Sequence, residues 1–321
     1  MGGAIGRIED LLAWDVRGAT AEDRYARLRE SPRYSDAARA FARAMLAQAE
    51  ADRLLDGVLK DAGRNVAAKC LAYLHVTGGL TLPRLKALCA STGLVSPGRA
   101  RMLLMYLQHL GYAVPSPRRE AKAPRRYDPT ARFLETWRRH MRAMLESAAV
   151  VEPGVSRLLG GLDVPGVFES YVRYISEAYL EGLKDIDTED PFFRTFMHRY
   201  AGTQIVHGLV VAARGAFPPR DPIAFNLAET AKHFAVSRLH VRRMMDAAQR
   251  GDLLRLADGA LVLTTAGRAA VDHIYATQLI VFLVAAARTA RGCPMLAGRE
   301  TVADKEPSRS KMYVDIPPPA L

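Results

Sequence analysis

Eleven cations stand against three acids between Ser96 and Leu145, so most of the chain's formal charge of +11 is packed into fifty residues. The densest run is Arg118, Arg119, Lys122, Arg125 and Arg126, with Pro117 and Pro124 stiffening it. Five mutually repelling cations add nothing to the stability of a loop, whereas a row of phosphates offsets the repulsion and releases counterions. Just upstream, Arg99 and Arg101 fall on the first turn of a segment whose Ala100, Leu103, Leu104 and Leu107 recur at helical spacing. A guanidinium at a helix start can reach phosphate oxygens or the O6 and N7 edge of guanine. Charge of this density implies a polyanionic partner, with double-stranded DNA ahead of an anionic membrane surface.

A second, sparser set lies 141 residues on. Val241, Met244, Met245 and Ala248 repeat the spacing of Ala100, Leu103, Leu104 and Leu107, and Ser237, Arg238, His240, Arg242 and Arg243 occupy the helix start that Ser96, Arg99 and Arg101 occupy in the first set. The run after this helix carries only Arg255, with Asp258 beside it. Between Asp221 and Glu300 ten cations meet seven acids. This half is either a weaker DNA reader or a module turned to protein contact.

Other chemistry is absent from the pattern. There is no glycine-rich phosphate loop, HExxH or GxSxG, so no enzyme, cofactor or metal is expected. The acidic run Asp185–Asp190 lacks EF-hand spacing. Aromatic residues concentrate at 168–200, and packing between the two halves is their first reading. The alternative is an effector pocket built from Tyr171, Tyr174, Phe193, Phe196 and Tyr200, with His198 or His207 as a polar anchor.

The elements that would position these residues follow from punctuation. Thr20 caps a helix to about Glu30, Ser35 a long helix to about Leu59, and a third spans Asn65–Val76. Leu80–Leu82 is extended, and Pro83 suits the first turn of a helix to Ala90. Ser96 caps the next helix, which Gly111 ends. Asp128-Pro129 reads as a cap and first-turn pair for a helix to about Ala149. Turns at Glu152–Gly154 and Asp163–Gly166 lead to helices over Phe168–Leu183 and Pro191–Arg214. Helices over Ala224–Phe234 and Arg238–Arg250 follow. Asp258-Gly259 between Leu254–Leu256 and Leu261–Leu263 is a strong hairpin signal, and Thr264–Arg268 launches a final long helix toward Ala287.

A helix, a turn, a second helix presenting its N-terminal end and a cationic hairpin describe a winged helix. The expected fold is therefore mainly α with small β-hairpin wings: tandem winged helix-turn-helix modules joined by long helices. The expected divisions are an N-terminal helical arm at 1–34, a first module at 35–149, a connector at 150–190, a second module at 191–292 and an extended or disordered tail at 293–321.

The arrangement resembles the MarR-type winged-helix transcriptional regulators. The resemblance rests on the long helix before each motif, the serine starts at Ser96 and Ser237, the exit Leu107–Tyr112 and the stretch Leu263–Arg268. It implies a sequence-specific transcriptional regulator that dimerises through terminal helices, a small aromatic effector and release of DNA when that effector binds. Members usually carry one module, so two in one chain leave open an internal pseudo-dimer or a homodimer presenting four. Two other functions compete: a replication-initiator or chromosome-organising DNA-binding protein, and an aromatic-ligand-binding protein without DNA binding.

Bulk features fit a folded protein with room for one large core or two smaller ones. Cys70, Cys89 and Cys293 are few and far apart, and Cys70 and Cys89 read as core residues in a reducing compartment. Met1–Asp15 lacks the order of a signal peptide, and the apolar run around Gln278–Ala287 is too short to span a bilayer, so a cytoplasmic protein is expected.

Overall fold

Six short strands and fourteen helices appear in the computed structural model, which describes residues 6–117, 123–183 and 187–296. The chain is mainly helical with two small antiparallel sheets. Helices α1 (Ile8–Leu12) and α2 (Ala21–Glu30) come first. Thr20 and Asp23 close a reciprocal capping box on α2, satisfying two backbone donors. Next are α3 (Tyr34–Ala51) and α4 (Arg53–Leu59). They were expected to be one helix, but Asp52 breaks them. Its carboxylate accepts from the Leu54 and Leu55 amides and from Tyr112 Oη at 3.2 Å and Thr136 Oγ1 at 3.3 Å, so remote partners hold it outside the helical conformation. No side chain caps α3; its N-cap residue is Arg33, not Ser35.

Two stretches then run through the same order of parts. The first is α5 (Ala62–Val76), β1 (Leu80–Thr81), α6 (Leu82–Ser91), α7 (Pro97–His109), β2 (Ala113–Pro115), β3 (Arg126–Pro129) and α8 (Ala131–Val151). After α9 (Val155–Gly161) and α10 (Val167–Gly182) the second is α11 (Gly202–Ala212), β4 (Ile223–Ala224), α12 (Leu227–His233), α13 (Arg238–Arg250), β5 (Leu254–Ala257), β6 (Ala260–Leu263) and α14 (Thr265–Gly292). Both sheets place the last strand in the middle, in the orders β1-β3-β2 and β4-β6-β5. In the second hairpin Asp258 (φ 50°) and Gly259 (φ 74°) take the left-handed conformations of a tight turn.

Three boundaries differ from expectation. Asp128 and Pro129 belong to β3, and the cap of α8 is Thr130, whose hydroxyl accepts from the Phe133 amide. Thr264 does the same for α14, so the two helix starts correspond at the threonines. The expected helix over Pro191–Arg214 is broken by a π-helical turn at Phe193–Met197 and by Ala201 at φ 60°. A side chain at Gly202 would put its Cβ 2.1 Å from the Phe196 carbonyl oxygen, so that corner needs glycine. Helix α9 lies between two turns that were read as a plain connection.

The flanking helices cross over: α3 packs along α8 but also against α11, and α10 packs along α14 but also against α5. The buried apolar side chains form one continuous core through both repeats. Leu11 and Trp14 of the N-terminal segment are buried in it, as is Leu296. Among the described residues one helix, α14, is long and apolar enough to cross a membrane, although its longest uncharged run is shorter. Half of the most apolar stretch of α14 is buried inside the protein.

Candidate nucleic-acid interface

Helix α7 begins as the sequence dictates. Ser96 Oγ accepts from the Arg99 amide at 3.2 Å, Pro97 fills the first turn, and Ala100, Leu103, Leu104 and Leu107 are buried. The outward face is less cationic than expected. Arg99 turns back across the start of α5, where its Nη2 donates to Asp61 Oδ1 at 2.8 Å. Asp61 also accepts from the Arg64 amide and pairs with Arg64 Nε at 3.2 Å. Arg99 is thus a tie between helices, not a free guanidinium, because the almost fully buried Asp61 carboxylate needs both partners. Arg101 stays exposed, beside Met102 and Met105, which are 62% and 51% exposed.

Helix α13 is the more cationic surface. Ser237 caps it through the His240 amide at 3.1 Å, and Val241, Met244, Met245 and Ala248 are buried. Arg238, Arg242 and Arg243 are exposed and make no ion pair with any described residue. Three arginines without carboxylates on the first two turns of a helix suit a row of phosphates or a guanine edge. His240, expected among the contacts, is held by its Nε2 against the Tyr200 carbonyl oxygen at 2.9 Å. Arg255 projects from β5 as an exposed cation.

In the first hairpin Arg125 and Arg126 are exposed, and the Ser116 amide donates to the Arg126 carbonyl at 2.9 Å. Arg118, Arg119 and Lys122 lie outside the described residues.

The aromatic residues proposed for an effector pocket pack into the protein instead of lining its cavity. Tyr171 is fully buried with its hydroxyl unpaired, and Phe193 and Phe196 are both buried in the π-helical turn. Tyr174 is half-buried beside Gly292. The Tyr200 ring is flanked by Lys60 and Arg64, and His198 is exposed beside Phe193. None of these six lines the cavity of about 150 Å³ that the structure does contain. That cavity is lined by α5 of the first repeat and α11 of the second, with further walls from α3, α4, α8, α10 and α14.

Its polar walls were not picked out, apart from His207. Lys69 is buried on α5, donates to Asn65 Oδ1 and lies 4.2 Å from the Tyr179 ring centroid; burial pushes its ammonium down to about 7. His140 on α8 is buried with Nδ1 unpaired, and burial followed by the nearby Lys69 charge pushes it down to about 3. His207 bonds through Nδ1 with Tyr275 Oη at 2.6 Å, and burial pushes it down to about 4. A sequence signal did exist for Lys69: a single cation within the apolar run Val66–Leu74. Cys70 and Cys89 are buried as expected, and a hydrogen bond to Cys89 together with burial raises the Cys70 thiol far above its ordinary range. Among the described residues no cluster of three metal-ligating side chains occurs.

The chain matches no protein-family model, no curated protein sequence and no solved structure.

Proposed function

We propose that this chain is a sequence-specific, double-stranded DNA-binding transcriptional regulator built from two winged-helix modules of the MarR-like kind. The observation that carries the reading is the trio Arg238, Arg242 and Arg243 on α13, exposed and free of carboxylate partners, at the start of the last helix before a β-hairpin. In a winged helix that helix enters the major groove and the hairpin reaches the backbone. The repeated strand order and helix caps support two such modules, and the cations of the first hairpin support phosphate contact there. α13 is the main base reader, and the first module contributes Arg101 and its hairpin. A cytoplasmic location follows from such a role.

The test is selection of duplexes by the full chain from a random library, followed by fluorescence anisotropy across a salt series. The parent should enrich a defined sequence and bind it with a steep inverse dependence on salt. Replacing Arg238, Arg242 and Arg243 by alanine should abolish the enrichment and lower the salt slope by about 0.9 for each of the three that contacts a phosphate and not a base. Equal enrichment by parent and triple variant would remove α13 from the interface. Absence of duplex binding at low salt would end the reading. The cavity favours one competing reading, a small-molecule binder with no nucleic-acid role, and that reading would gain from the latter result.

A further inference from the structure

At an offset of 141 residues α7 and α13 share one frame but present different chemistry. Ser96 and Ser237 cap them through the amides of Arg99 and His240, and their buried stripes coincide residue by residue. Arg99 and His240 also coincide, and both turn inward, one to Asp61 and the other to the Tyr200 carbonyl oxygen. Arg101 and Arg242 match as exposed cations. The other outward positions do not match. Met102, 62% exposed, stands where α13 has Arg243; Met105, 51% exposed, stands where it has Asp246; and Pro97 stands where it has Arg238.

These exchanges change what each helix can recognise in a major groove. A guanidinium at position 243 can bond the O6 and N7 atoms of guanine. A thioether at position 102 can bond neither, but it suits the C5 methyl of thymine, the apolar group on the groove edge of a base pair. The hairpins are unequal in the opposite sense. Residues 116–125 join β2 to β3 and carry four cations against one acid, whereas Asp258 and Gly259 alone join β5 to β6. Phosphate contacts position a protein without reading sequence. The first module is therefore equipped to hold the backbone, and the second to read bases.

Both modules stand on one core, so a single chain presents the two unlike helices together. Lys60, between α4 and α5, donates from Nζ to the Phe234 carbonyl at 3.1 Å and accepts from the Ala201 amide at 2.8 Å, tying the start of the first repeat to the second. A palindromic site mirrors the two-fold symmetry of a dimer. Two unlike readers in one chain have no such symmetry to mirror. We propose, on the duplex-binding role set out above, that one copy of the chain occupies a duplex site without two-fold symmetry. Arg243 sets a guanine in the half under α13, and Met102 with Met105 favours thymine in the half under α7, which the first hairpin anchors on phosphates.

The test takes the duplex enriched by the full chain and measures its stoichiometry by sedimentation and its affinity by anisotropy. One chain per duplex is expected, on a motif with a guanine in one half and thymines in the other. Replacing the thymines of that second half by deoxyuridine removes only their methyl groups, and should weaken binding about fourfold for each methyl in contact. Met102→Ala should bind the thymine and deoxyuridine duplexes equally. Arg243→Met should lose about tenfold in preference for guanine in the first half and keep the full response to deoxyuridine. A palindromic motif holding two chains, or a parent chain indifferent to deoxyuridine, would overturn the proposal while leaving duplex binding in place. The deoxyuridine comparison on the parent stands even where a variant folds poorly. Failure to bind any duplex at low salt removes the nucleic-acid reading itself, and this site with it.

Discussion

Arg99→Ala separates a structural arginine from a nucleic-acid contact, because the structure assigns its guanidinium to Asp61. The Asp61 side chain is only 6% exposed and serves three donors: the Arg64 amide at 2.9 Å, Arg64 Nε at 3.2 Å and Arg99 Nη2 at 2.8 Å. A hydrogen bond to a charged group contributes about 1.5–3 kcal/mol. Arg99 is 39% exposed, so solvent screens its share, and two donors remain to Asp61 after its removal. The expected loss is therefore about 1 kcal/mol. With an m-value of about 3 kcal/mol/M in urea for a chain of this size, the midpoint should fall by about 0.3 M with m unchanged. Asp61→Ala should cost more, about 3 kcal/mol, because it strips the cap of α5 and leaves two guanidiniums without their acceptor. The same Arg99→Ala protein should keep the parent's salt slope for duplex binding, whereas Arg101→Ala should lower that slope by about 0.9 without moving the urea midpoint. An Arg99→Ala chain with the parent's midpoint and a weakened affinity for every duplex would refute the argument.

Gly267→Ala puts a Cβ 1.8 Å from the Leu253 carbonyl oxygen, so the second hairpin must move away from α14; a loss of about 3 kcal/mol is expected, and a melting temperature within a degree of the parent's would contradict it. His140 and His207 are held down at about 3 and about 4, below the ordinary 6.5, so the unfolded chain takes up their protons first as acid is added. Their stabilisation is complete above pH 6.5 and is lost as pH falls toward 4 and 3. His140→Leu should flatten the fall of urea stability between pH 6 and pH 4.5 by about 1.4 kcal/mol per pH unit, and identical slopes in parent and variant would discount the burial argument. Lys69 runs from about 7 folded to an ordinary 10.5, so the unfolded state holds the extra proton between those values and stability rises with pH there. Below pH 7 the full cost is present; Lys69→Met should therefore gain a few kcal/mol at pH 6, about 3–5, and less at pH 9, and a variant weaker than the parent at pH 6 would count against a buried, uncompensated ammonium.

What could be read from the chain follows the range of the forces involved. Ser96, Ser237, Thr20 and the Asp258-Gly259 turn act through hydrogen bonds or φ angles within three or four residues, and each delimits its element as the sequence predicts. Asp52 and the corner at Ala201-Gly202 look ordinary locally. One breaks a helix because Tyr112 and Thr136, sixty and eighty-four residues away, need its carboxylate. The other breaks one because the Phe196 carbonyl sits where a Cβ would be. The proposed interface divides in the same way. That Arg243 is exposed on α13 follows from helical period, since Val241 and Met245 take the opposite face; Arg238 and Arg242 lie at the margin of that buried stripe. That Arg99 is spent on Asp61 does not, since the two lie thirty-eight positions apart and nothing in between signals their meeting. Lys69 lies between these cases. Its position inside the apolar run of α5 marks it as a cation with nowhere to go, but only the packing of α10 against that helix, with α8 on the same cavity, removes its water and supplies the Tyr179 ring in place of a counter-charge. A lone charge in an apolar helix is legible in the sequence, but that it lacks a counter-charge becomes legible only when every neighbouring carboxylate has been assigned to another cation.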